Sequence, residues 1–220
     1  MKRTHEDAEK TRLSIVDAAL KVFLEMGYSR AKISDICRVA NVTRGAVYWY
    51  FRNKEDILLY LADSMVHEIE QKVNESFEQG TTNFEKTEIL IKNLCFWVLE
   101  NETVRNKRKV LISTFLNGEL SLTEKMLFSK IMNKKIHPAE PEYIDHIVEK
   151  TCRAFGIKAE TQEQRDEIYE SFLAISSFVE GLVWEISRYP QRMDKKIVNN
   201  LIDRFLKGYF YSYKNILEER

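Results

Sequence analysis

An all-α fold of about nine or ten helices is what this sequence predicts, and three observations predict it. Apolar residues recur three and four positions apart almost throughout the 220-residue chain, the period of a helix with a buried face. Only 7 Gly and 3 Pro are present, too few for the many turns of an all-β protein. Hydrophobic residues make up 44% and charged residues 31% of the chain, which suits a sizeable core and not a disordered segment. No convincing strand, repeat or low-complexity stretch interrupts the pattern.

The first helix is expected over about Glu9–Met26, with Leu13, Val16, Ala19, Leu20 and Phe23 on one face. Gly27 ends it, since glycine takes the left-handed conformation beyond a helix C-terminus without penalty. A short helix over about Ile33–Ala40, a turn at Asn41–Val42 and a second short helix over about Thr43–Phe51 follow. Asn53, with Asp56 three residues on, suits the N-cap of a long helix over about Lys54–Gln79 that stops at Gly80. At 1.5 Å per residue this helix is roughly 39 Å long.

The rest of the chain is also helical in pattern. Helices are expected over about Asn83–Asn101 and about Val104–Asn117. Ser121 with Glu124 forms a capping-box pattern, and Pro138 and Pro141 break or kink the helix it opens. A further piece runs from Glu142 to Phe155 and stops at Gly156. Thr161 with Gln164 opens a helix to about Arg188, and Pro190 and Asp194 separate it from a last helix over about Lys195–Leu217.

Formal net charge is zero, but the charges are unevenly placed. Residues 1–60 hold 11 Lys/Arg against 8 Asp/Glu. Between Ser29 and Lys54 stand six basic residues (Arg30, Lys32, Arg38, Arg44, Arg52, Lys54) and one acid, Asp35. A surface that neutralises phosphates needs such a local excess; a solvated basic face is the alternative. Cys37, Cys95 and Cys152 are far apart and odd in number, which fits a reducing cytoplasm and buried thiols and gives no disulfide framework. Met1 to Arg12 lacks the apolar run of a signal peptide. No apolar run approaches the ~18–20 residues needed to cross a bilayer, so a cytoplasmic protein without a membrane partner is expected.

Two short helices joined by a three-to-four-residue turn make a helix-turn-helix pattern. In such a motif the second helix enters the major groove with its N-terminal residues at the base edges. Here that end is Thr43-Arg44-Gly45-Ala46. Thr43 can cap the helix and face a phosphate. Arg44 has a fork that matches guanine O6 and N7. Gly45 lacks a Cβ and lets the helix end approach closely. Tyr48, Trp49 and Tyr50 cannot all point inward on a helix, and an outward phenol or indole donor suits a phosphate oxygen. Val47 and Phe51 make the inward stripe, with Ile33, Ile36, Cys37 and Ala40 as partners. Lys54 adds a phosphate ligand. A surface aromatic cluster for protein contacts is the competing reading.

The stretch from Thr11 to Leu61 resembles the DNA-binding domain of TetR/AcrR-family regulators. The resemblance is carried by Phe23, Gly27 and Tyr28, and by ISDICRVANVTRGAVYWYFRNKEDIL from Ile33 to Leu58. Its wording is nearest to regulators of multidrug efflux pumps. The resemblance implies a helix-turn-helix domain over 9–69, with the motif at about 33–52, and an effector-binding and dimerisation domain over 70–220. It implies base or adjacent backbone contacts for Thr43, Arg44 and Gly45, and phosphate contacts for Tyr48, Trp49, Tyr50 and Lys54. It also implies that Ser34 is a phosphate ligand. Position 32 departs from the family, which has Thr or Ser there as a helix cap. Lys32 cannot accept the N–H bond, so about 1 kcal/mol of capping is expected to be lost, with a phosphate contact expected in exchange. Repression, relieved by a small, largely apolar effector at a palindromic operator, is the family default.

The last two expected helices are apolar on more than one face, and a second stripe calls for deep burial or a partner. Together they suit a four-helix bundle across a two-fold axis, with Phe172, Ser176, Val179, Val183, Leu201, Phe205 and Tyr209 on the dimerisation face. Burial of both faces in a monomer is the alternative. For a ligand pocket the candidates are the large side chains Phe96, Trp97, Phe115, Met126 and Trp184, with His67, Glu100 and Glu119 as polar groups, since ligand sites are mostly apolar with a few anchors. An ordinary core is the competing reading for these. His5, His67, His137 and His146 are scattered. No phosphate loop or nucleophile elbow appears, so no enzyme, catalytic set, metal or cofactor is expected. A helical protein-interaction adaptor is the remaining rival.

Overall fold

The computed structural model describes residues 5–116 and 142–212. Their helices are α1 (His5–Met26), α2 (Ile33–Ala40), α3 (Arg44–Tyr50), α4 (Lys54–Phe77), α5 (Asn83–Glu100), α6 (Glu102–Leu116), α7 (Glu142–Phe155), α8 (Gln162–Arg188) and α9 (Lys195–Ser212), with one 3-10 turn at Pro190–Arg192. No strand occurs among the described residues. The helix expected from Ser121, and the breaks expected at Pro138 and Pro141, lie outside them. No helix among the described residues is long and apolar enough to cross a membrane.

Local chemistry sets most helix ends. Asp56 donates its N–H to the Asn53 Oδ1 at 2.9 Å, and its own carboxylate accepts the Arg52 N–H at 3.0 Å. Thr161 and Gln164 cap each other, with the Gln164 N–H on the Thr161 hydroxyl and the Thr161 N–H on Gln164 Oε1, both at 3.2 Å. Asp194 accepts the Ile197 N–H at 2.8 Å and starts α9. Gly27 and Gly156 take φ of +79° and +67°, the left-handed C′ conformation that glycine adopts freely. Helix α1 begins at His5, four residues before the expected start. Glu6 and Asp7 in its first turn favour a helix N-terminus, and Glu6 pairs with Lys10 at 2.8 Å. Thr82 and Glu85 form a further capping box, which bounds α5. Hydrogen bonds from the Thr81 hydroxyl and then the Thr82 and Thr81 backbone hold the Glu85 carboxyl below its ordinary range.

The chain divides into two compact units. The first comprises residues 5–66 with 103–116, and the second residues 67–102 with 142–212. In the first, α1 packs on α2 and α3, and α2 on α3. Its core holds Ile15, Ala19, Val22 and Phe23 of α1, Ile57, Leu58, Leu61 and Ala62 of α4, and Val104, Val110 and Leu111 of α6. Leu13, expected on the buried face of α1, is instead 45% exposed. The buried stripe runs through Ile15 and Ala18, and Leu13 edges an open groove of about 360 Å³ shared with Lys10, Asp17, Lys21 and Val39.

In the second unit α5 packs on α8 and α9, and α7 on α8. Ile91, Cys95 and Val98 of α5 are buried, as are Leu182, Val183 and Ile186 of α8 and Val198, Ile202 and Leu206 of α9. A buried polar tie adds direction: Asn93 donates to the Ser76 hydroxyl at 3.0 Å, and Ser76 donates to the Lys72 carbonyl at 2.7 Å. Burial, with the nearby Glu180 charge second, pushes the Cys95 thiol up to about 12. The thiolate is the reactive form, so Cys95 is expected to resist iodoacetamide at pH 8 in the folded chain, whereas the partly exposed Cys152 alkylates. Mass mapping of the labelled peptides checks this. As pH rises from 9.0 towards about 12, the unfolded thiol ionises while the folded one stays protonated, so the Cys95 contribution to stability is lost across that window.

Candidate nucleic-acid interface

Helices α2 and α3 are short, and their angle depends on the turn between them. Asn41 stands there at φ 53° and ψ 45°, left-handed backbone that asparagine tolerates better than most residues. Its N–H donates to the Arg38 carbonyl at 3.4 Å, and the Val42 N–H donates to the Cys37 carbonyl at 3.0 Å, which closes the C-terminus of α2. Asn41→Val should cost about 1–2 kcal/mol and Asn41→Gly should not, because a Cβ branch clashes in this conformation. Chemical denaturation of both variants decides it.

Thr43 caps α3 by accepting the Ala46 N–H at 3.2 Å, which leaves its hydroxyl proton free to donate. Val47 and Phe51 face inward, 0% and 5% exposed, and Ile36 and Cys37 of α2, which packs on α3, are buried as well. Phe51 also meets the Tyr60 ring edge-on at a centroid distance of 5.9 Å. The opposite face is open: Thr43, Arg44 and Gly45 are exposed, Tyr48 is 54% exposed and Trp49 82%. Tyr50 and Ser34 are half-buried, and Lys32 is exposed. An alanine Cβ at Gly45 would meet only the Thr43 Oγ1, at 3.9 Å, so nothing inside the protein requires a glycine there. Gly45→Ala is therefore expected to stabilise the fold, by up to about 1 kcal/mol, while weakening DNA binding. Melting curves and gel shifts on the same protein check both halves; loss of stability would move the requirement back into the fold.

The six cations between Ser29 and Lys54 are not equivalent. Arg30 donates through Nε to the Met26 carbonyl at 2.7 Å, at the C-terminus of α1. Lys54 donates to the carbonyls of Tyr28, Ser29 and Ala31 at 2.9, 3.1 and 3.4 Å. Arg38 reaches Asp35 at 3.4 Å and is 76% exposed. The side chains of Lys32, Arg44 and Arg52 make no ion pair or hydrogen bond with the described residues. Asp35 also accepts the Lys32 N–H at 3.2 Å. Position 32 thus keeps the half of a capping box that needs only its backbone, while its side chain supplies no acceptor. Arg38 and Arg52 are exposed cations beyond the residues singled out from sequence; the charge excess in the Ser29–Lys54 window is their only sequence signal.

The body residues are placed differently from one another. His67 is exposed, and Trp97 and Trp184 are half-buried. Glu100 is exposed and ion-paired with Lys195, and the Lys195 ammonium lies 5.5 Å from the Phe96 ring centroid. His67 and Glu100 are therefore surface groups. The side chain of Phe115, and all of Glu119 and Met126, lie outside the described residues. Of the dimerisation candidates, Leu201 is 38% exposed; Ile197, four residues before it on α9, is 40% exposed, and Leu173 of α8 is 42% exposed. Phe172, Ser176, Val179, Phe205 and Tyr209 are half-buried. Val183 is 4% exposed in the single chain and belongs to its core. Phe205 is engaged within the chain, stacked on Phe178 at 4.0 Å and on Tyr209 at 5.5 Å between centroids.

A buried three-helix core carrying an outward, cation-bearing second helix is a helix-turn-helix DNA-binding module. Residues 15–61 match the model of bacterial regulatory proteins of the tetR family. The chain is 31% identical over 128 residues to the HTH-type transcriptional regulator TtgR of Pseudomonas putida, across 57% of this chain and 58% of that protein. It is 27% identical over 131 residues to the HTH-type transcriptional regulator AcrR of Shigella flexneri, across 56% and 58%. The crystal structure of FadR from Bacillus subtilis in complex with stearoyl-CoA superposes with a TM-score of 0.58 at 22% identity, covering 90% of this chain and 98% of that one. The chain is thus similar to regulators of the tetR family, most specifically over residues 15–61. It spans little more than half the length of the curated relatives it matches, 58% of TtgR.

Proposed function

We propose that this protein is a sequence-specific DNA-binding transcriptional regulator, a cytoplasmic repressor that leaves a palindromic operator when a small, largely apolar ligand binds its body. The observation that carries the DNA-binding half is the exposed face of α3. There Thr43, Arg44, Gly45, Tyr48 and Trp49 are presented together, and Arg44 has no partner among the described residues. Lys32 at the N-cap of the preceding helix, Ser34 within it, and Tyr50 complete the proposed contact surface. The sensing half is supported by the stearoyl-CoA complex of the Bacillus subtilis structure, whose ligand carries a long apolar acyl chain. The likeness of residues 33–58 to efflux-pump regulators supports a multidrug efflux gene as the target. A homodimer is supported by the apolar residues Leu173, Ile197 and Leu201 left exposed on α8 and α9.

Selection of duplexes from a random pool by the purified chain tests this function. A convergent inverted repeat is expected, bound with a steep salt dependence by a species that sediments as a dimer. A pool that does not converge would overturn the reading. Acyl-CoAs, dyes and cationic drugs that raise the melting temperature should also release the selected duplex, because a ligand stabilises the state it binds.

A further inference from the structure

We infer that Lys54 is a positioning residue of the DNA-binding site, which fixes the loop between α1 and α2 against the first turn of α4. An ammonium has three donors, and here the carbonyls of Tyr28, Ser29 and Ala31 lie at 2.9, 3.1 and 3.4 Å from Nζ. Its charge also lies 4.4 Å from the Tyr28 ring centroid, within the range of cation–π attraction. To hold a phosphate, Lys54 would have to surrender this set.

The loop it holds is built into the module. Tyr28 and Ala31 are 4% and 3% exposed. Tyr28 meets Phe23 edge-on at 5.3 Å, and the Ala31 N–H donates to the Gly27 carbonyl at 3.2 Å. The carbonyls belong to the segment just beyond α1, where the helix dipole favours a cation. Helix α2 begins two residues after Ala31, so the loop sets where α2, and with it α3, is placed. Lys54 is the first residue of α4 and lies 23 to 26 positions from its acceptors. Nearly two turns further on, Arg12 of α1 lies 4.8 Å from the ring centroid of Tyr60. Two cations thus tie the start of α4 to α1 and its following loop.

This assignment rests on the DNA-binding reading, and the test separates the two. The probes are a duplex selected by the wild-type chain and an unrelated duplex of equal length, each titrated over a range of salt. Failure of the wild type to select any duplex would overturn the DNA-binding reading itself. For a positioning role, Lys54→Met weakens the selected duplex on the order of 10-fold, as a displaced base contact does. It leaves the salt slope unchanged and the unrelated duplex within about 2-fold, because no phosphate contact is lost. Lys54→Arg does not restore binding, since a planar guanidinium cannot seat its donors on three converging carbonyls. Tyr28→Leu, which removes the ring and keeps the charge, reproduces the loss. Should Lys54→Met be too unstable to titrate, Lys54→Arg and Tyr28→Leu decide alone. A slope shallower by about 0.9 with equal loss on both duplexes, full rescue by arginine, or full binding by Tyr28→Leu would overturn the assignment and make Lys54 a phosphate ligand.

Discussion

Replacement of Arg44 by alanine is expected to cost about 1–3 kcal/mol of preference for the selected duplex over duplexes altered at one base pair, the value of a bidentate contact to guanine. The side chain stands exposed at the first turn of α3, without an internal partner among the described residues, so its loss should leave the melting temperature within about a degree, as for surface substitutions generally. The unrelated duplex should lose only the single charge's share of affinity. Competition titrations with a panel of single-base variants read this out. If all variants weaken equally, Arg44 is a phosphate contact and the base-reading role passes elsewhere on α3.

Ile36→Ala acts through stability. Ile36 is 0% exposed on the face of α2 that meets α1 and α3, and truncating a buried isoleucine costs about 2–5 kcal/mol through lost transfer energy and the cavity left behind. Domains are stable by only about 5–15 kcal/mol, so the effect takes a large part of what holds α2 and α3 in place. Hydrogen exchange should show α2 and α3 amides losing protection while those of α5, α8 and α9 keep theirs. DNA binding falls with it, whereas a stabilising second substitution elsewhere in the first unit restores both. Unchanged protection in α2 would show that Ile36 does not anchor the motif.

Where local chemistry decides structure, the sequence was sufficient. Thr43 caps α3, Asn53 caps α4 and Thr161 caps α8 because each partner lies three residues away. The Thr82–Glu85 pair carries the same signature. The inward stripe of Val47 and Phe51 follows from helical spacing, and so does the outward placement of Tyr48 and Trp49. What was not legible depends on contacts between distant residues. The carbonyl acceptors of Lys54 lie on another element, so a count of basic residues treats it as free. Leu13 fits the apolar period of α1 but falls at its edge, beside a groove. Glu100 and His67 are surface groups because of how α4 and α5 turn, which helical spacing alone does not fix. Lys32 illustrates both sides: the missing side-chain acceptor follows from the residue type, while the Asp35 carboxylate on its N–H restores part of the cap from three residues downstream.

Methylation interference at guanine N7 on the selected duplex tests most directly whether α3 occupies the major groove, where N7 is displayed. The expected pattern is interference at guanines in two half-sites about 10 base pairs apart, with one symmetric pair of positions becoming insensitive in Arg44→Ala. Interference that is absent, or that Arg44→Ala leaves unchanged, would contradict the placement of α3 and Arg44 as the reading surface of this protein.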